Sequence, residues 1–87
     1  MKRNSDFILR SVADTQLLVP VGAAAVQFAG MVTVNETTGY LWELLGSEQT
    51  LQTLTAALCQ RYDIDEETAR RDVERVLSSL TEIGAIL

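Results

Sequence analysis

The chain changes its period at one residue. In "VTVNETTGYLWELLGS", Val32 to Ser47, β-branched residues alternate up to Val34. Beyond Asn35 the apolar residues recur at helical spacing. Period two is that of a strand and period 3.6 that of a helix. A strand must therefore hand over to a helix with no room for a loop. Asn35 suits the handover, because its side-chain oxygen can accept from an otherwise orphaned N–H of the first helical turn. Glu36 follows where negative charge favours the helix dipole. This first helix is expected over about Glu36–Leu45, with Leu41, Leu44 and Leu45 inward and Tyr40 or Trp42 flanking them. Gly46 ends it as a C′ residue. Trp42, the only tryptophan, is assigned to the core between sheet and helices. Gly39 inside the helix costs about 1 kcal/mol relative to Ala. That cost points either to a close backbone approach or to a tolerated glycine.

Upstream of the junction, "FILRSVADTQLLVPVG" predicts two strands around a turn at Ala13-Asp14-Thr15. Pro20 cannot donate to a ladder and belongs at an edge or a strand end. Residues 1–6 are expected to be a flexible N-terminus, with one domain over residues 7–87. In "AAAVQFAGMVTVN", Val26 and Phe28 share one parity, and so do Val32 and Val34, with Ala29-Gly30 between them as a bulge or turn.

Downstream, Leu51, Leu54, Leu58 and Tyr62 mark a second helix over Leu51–Tyr62, capped by Thr50. Asp65 caps a third over Glu66–Ile83, whose stripe is Ala69, Val73, Val76, Leu77, Leu80 and Ile83. The acids of "DIDEE" lack the ligand spacing and central glycine of a calcium loop, so they are assigned to capping. Gly84 is the C′ residue, and "AIL" folds back onto the core. Strands first and helices after make an α+β fold.

Composition narrows the function. At 87 residues the chain makes one small domain with little room for a deep cleft. It has no histidine, so the commonest general base and metal ligand is missing. Cys59 stands alone, which fits a reducing compartment, and is assigned to the core. No phosphate-cradling loop, metal-spaced cluster or nucleophile elbow is present. An enzyme is not expected, nor any cofactor. The start is not a signal peptide and no apolar run reaches membrane-spanning length, which predicts a cytoplasmic protein.

The net charge of -5 argues against nucleic acid and suits a peptide partner with some positive charge. Three helices with a hairpin can form a winged helix-turn-helix, and Arg70, Arg71 and Arg75 are the basic residues a DNA-binding regulator would use. However, Glu66–Arg70 and Glu67–Arg71 are i,i+4 pairs, and Asp72 and Glu74 sit among those arginines. A sheet with an open edge beside an amphipathic helix can instead take an extended peptide as an added strand.

Three stretches carry a resemblance over about residues 7–87. They are "FILRSVADTQLLVPVG", "VTVNETTGYLWELLGS" and "TLQTLTAALCQRYDIDEETARRDVERVLSSLTEIGAIL". Their order and spacing resemble the PqqD-like family. The resemblance implies a winged helix-turn-helix of three strands and three helices. It implies a peptide chaperone that recognises the leader of a ribosomally made, post-translationally modified peptide. Such a protein delivers the leader to a modifying enzyme, often a radical S-adenosylmethionine enzyme, or to a leader peptidase in lasso-peptide pathways. The leader would pair antiparallel with the third strand and lie against the third helix. Carried onto this chain, the docking edge is Met31, Val32, Thr33 and Val34, with side chains alternating between groove and core. The groove residues of the third helix are Asp72, Arg75, Val76 and Ser79. Arg75 would suit an acidic leader residue and Asp72 a basic one. Residues 22–29 exceed the shortest family link between the second and third strands. They are expected to form a fourth strand or a loop over an edge. The chain is expected to be a monomer or a weak homodimer through an exposed edge.

Overall fold

The computed structural model describes residues 1–27 and 30–87. Strands β1 (Phe7–Val12) and β2 (Thr15–Pro20) form a hairpin. A short helix α1 (Gly22–Gln27) leads to strand β3 (Val32–Val34). Helices α2 (Glu36–Leu44), α3 (Leu51–Tyr62) and α4 (Glu66–Glu82) follow. The three helices expected from the sequence are thus α2, α3 and α4. The strands make one three-stranded antiparallel sheet in the order β1-β2-β3.

Residues 22–27 are helical, not a fourth strand. Three consecutive alanines explain this, since Ala is the best helix former and a poor strand former. Phe28, which shares the parity of Val26, lies outside the described residues, as does Ala29. Between β1 and β2 the turn is Ala13-Asp14, with Thr15 already paired to Val12. Ala13 takes a left-handed φ of 56°. Pro20 ends β2, where no further ladder donor is needed.

The inner face of the sheet meets the helices. Leu18 is fully buried and lies opposite both Leu9 and Val32. Phe7, Leu41, Trp42, Leu45, Leu54, Leu58, Ala69, Val73, Leu80 and Ala85 complete the buried core. Trp42 is therefore core, as the sequence indicates. Cys59 is only half-buried, at the margin of that core.

Caps fall at the expected residues. Asn35 Oδ1 accepts from the Thr38 N–H at 2.8 Å. Thr50 and Thr53 form a reciprocal capping box on α3. Asp65 accepts from the Thr68 hydroxyl at 2.6 Å and from its N–H at 3.3 Å. At the end of α4, Gly84 N–H donates to Thr81 O at 3.0 Å and Ala85 N–H to Leu80 O at 2.8 Å. That is a Schellman motif, with Gly84 at φ 78°. Gly46 differs. It occupies the C′ position of α2 but not the left-handed region. Its bareness makes room for Arg3, whose guanidinium carbon would lie 3.2 Å from a Cβ there.

Residues 1–6, expected to be flexible, are docked. Arg3 N–H donates to Leu45 O at 2.8 Å, and Asn4 N–H to Ala85 O at 2.7 Å. Leu87 N–H donates back to Lys2 O at 2.8 Å. The Arg3 side chain also donates to Trp42 O at 3.0 Å and lies 5.8 Å from the Trp42 ring centre. The composition of "MKRNSD" does not show these backbone bonds, which join segments far apart in the chain.

Candidate functional site

β3 pairs with β2 alone, in the register Gln16↔Val34, Leu17↔Thr33 and Leu18↔Val32. Its other edge has no strand partner among the described residues. The register fixes its faces, because residues directly opposite share one. Val32 and Val34 lie with Leu18 on the inner face; Thr33 lies with Leu17 on the outer face. The side chains therefore alternate between the inner and outer faces of the sheet, not between groove and core. Val32 and Val34 do both: they pack against the core and line the adjoining groove.

That groove has a volume of about 480 Å³ and runs between β3 and α4. Helical spacing brings Asp72, Arg75, Val76 and Ser79 onto the same side of α4, and all four line the groove. Leu80 and Ile83 add apolar surface, and Asn35, Thr37 and Thr38 close it at the start of α2. The Asn35 cap thus has a second consequence: it sets the α2 entry directly against the strand end.

The structure brings seven of the eight sequence candidates together: Val32, Thr33, Val34, Asp72, Arg75, Val76 and Ser79. Met31 is not among them. It precedes β3, is 63% exposed and does not line the groove. A strand of only Val32–Val34, entered after Gly30 at φ 122°, leaves it outside the ladder. Sequence reasoning missed Leu80, Glu82, Ile83, Asn35, Thr37 and Thr38. Glu82 and Ile83 sit three and four residues beyond Ser79, so extending the same helical face would have found them. The two threonines carried no such signal.

The two charged candidates are engaged with each other. Arg75 lies 3.5 Å from Asp72, with the side chains 73% and 36% exposed. Elsewhere on α4, Arg71 bonds Glu67 at 3.0 Å. The Glu66–Arg70 spacing does not produce an ion pair within 4 Å; Arg70 instead borders a second hollow, between α3 and α4. With two of these three arginines paired to acids on their own helix, α4 presents no basic face to a phosphate backbone. The second hollow, about 680 Å³, contains Cys59 and, among the described residues, is lined by α3 and α4 alone. No strand edge borders it. Among the described residues no group of three or more His, Cys, Asp or Glu could hold a metal ion. No helix among them is long and apolar enough to cross a membrane.

The fold and groove define an α+β domain of the winged helix-turn-helix kind, with an unpaired strand edge facing a helix. The chain belongs to the family described as coenzyme PQQ synthesis protein D (PqqD), whose model matches residues 17–86. Its fold is similar to that of TbiB1, solved in complex with the TbiA(beta) leader peptide. That match has a TM-score of 0.74 and 21% sequence identity, and covers 94% of this chain and 90% of TbiB1. No curated protein matches the sequence.

Proposed function

We propose that this protein binds the leader segment of a ribosomally synthesised, post-translationally modified precursor peptide and does no chemistry itself. The leader adds as a strand to β3, and its alternate side chains enter the groove against α4. One observation carries this reading. The open edge of β3 and the exposed face of α4 border a single groove, so one extended peptide can meet both. Membership of the PqqD family and the leader peptide held by TbiB1 point the same way.

The edge supplies backbone hydrogen bonds, which set direction and register but not sequence. Val32, Val34, Val76, Leu80 and Ile83 supply apolar surface that favours alternating hydrophobic residues in the leader. The Asn35 cap fixes β3 to α2, so most of the ordering cost falls on the peptide. The bound leader is then delivered to a modifying enzyme or leader peptidase in the cytoplasm.

Titration of fluorescently labelled leaders encoded beside the gene tests this. We expect saturable binding between nM and μM, about -12 to -8 kcal/mol. No saturable binding of any such leader would overturn the proposal.

A further inference from the structure

The groove is not electrically neutral, and its imbalance has a location. Three charged side chains line it: Asp72, Arg75 and Glu82. Asp72 and Arg75 largely cancel each other. Glu82 has no ion-pair partner among the described residues and is exposed. Beyond Thr33 and Val34, a neighbouring hollow along β3 adds Asp14 and Glu36. Asp14 is likewise unpaired, while Glu36 feels the charge of Arg61. Among the described residues no unpaired cation lines either hollow.

Glu82 also stands where the fold does not want it. It occupies the last turn of α4, and no basic residue shares that turn. The carbonyl end of a helix carries partial negative charge, so a carboxylate there is disfavoured. Its carboxylate accepts no hydrogen bond among the described residues that would offset the conflict, and the helix end is already closed by Gly84 and Ala85. Helix end and carboxylate together create one region of negative potential on the groove wall, beside the apolar surface of Leu80 and Ile83.

We propose that Glu82 is a specificity-determining residue that selects peptides carrying Lys or Arg opposite the C-terminal end of α4. This inference rests on the leader-binding reading above and names the chemistry of the leader. The peptide is extended, apolar at alternate positions, and basic at one groove-facing position. A Lys or Arg side chain lays its aliphatic stem along Leu80 and Ile83 while its charge meets Glu82. The pair lies at the rim, so it speeds encounter and weakens as salt rises.

The test is selection from a displayed library of random peptides against the wild-type protein, Glu82→Gln and Glu82→Lys. Wild type is expected to enrich Lys or Arg at one position among alternating apolar residues. Glu82→Gln should lose that enrichment, and Glu82→Lys should turn it toward Asp or Glu. Both variants should melt no lower than wild type, because each relieves the conflict with the helix dipole. A purely structural role would lower melting and leave the selected sequences alone. If peptides are selected without basic enrichment, or Glu82→Gln keeps it, the inference falls and the leader-binding reading stands. If no peptide is selected at all, both fall.

Discussion

Gln16 of β2 lays its side-chain amide against Gly39 of α2. A methyl group at Gly39 would overlap Gln16 Oε1 and come within 3.1 Å of Cδ. The same Oε1 is buried without a hydrogen-bond partner among the described residues. This explains the glycine inside α2: a side chain from the sheet comes close, not another backbone. Gly39→Ala gains up to about 1 kcal/mol of helix propensity but collides with Gln16. In a double-mutant cycle by chemical denaturation, Gly39→Ala should be more favourable in a Gln16→Ala background by about 0.5 kcal/mol or more. Additivity of the two changes would show that the contact does not explain the glycine.

Ala13 pays a backbone cost in the hairpin. Its φ of 56° is left-handed, which costs a residue with a Cβ about 1–2 kcal/mol. Ala13→Gly should raise stability by roughly 1 kcal/mol, after the added freedom of glycine in the unfolded chain is subtracted. The urea midpoint reports this, with the slope unchanged.

The Asp65 cap titrates. The Thr68 hydroxyl and then the Thr68 N–H hold its carboxyl below the ordinary 3.8. A carboxyl depressed in the folded state stabilises above its unfolded pKa, and that contribution is lost as pH falls through the folded value. Stability should therefore decline below about pH 4, and Asp65→Asn should flatten that acid limb. Melting temperatures from pH 2 to 7 test the sign.

Asp72 and Arg75 contribute little to the fold. An exposed i,i+3 pair at 3.5 Å is worth about 0–1 kcal/mol. Asp72→Asn and Arg75→Gln should each leave unfolding free energy within about 1 kcal/mol of wild type. A larger loss would mean the pair holds α4 in place.

Ser79 offers a way to fill the groove without touching the core, since it is exposed on the α4 wall. Ser79→Trp should weaken leader binding at least tenfold, about 1.4 kcal/mol, with melting unchanged. Unaltered affinity would place the peptide elsewhere.

Much of this fold is legible in sequence because caps and periodicity are local. Asn35, Thr50, Asp65 and Gly84 act within one turn of themselves, and each performs the expected role. The α4 face could be found for the same reason, one helical spacing at a time. What sequence hid was contact between distant segments. Arg3 explains the bareness of Gly46, and Gln16 that of Gly39, yet neither pairing leaves a trace in composition. Residues 22–27, where the sequence suggests a fourth strand or a covering loop, form α1 because three consecutive alanines favour a helix.

The most direct test of strand addition is an NMR titration of isotopically labelled protein with a leader encoded beside its gene. We expect saturable amide shifts centred on Val32–Val34 and on α4 from Asp72 to Ile83, with slowed exchange of β3 amides in the complex. Shifts confined to the hollow between α3 and α4, or no slowing along β3, would contradict it.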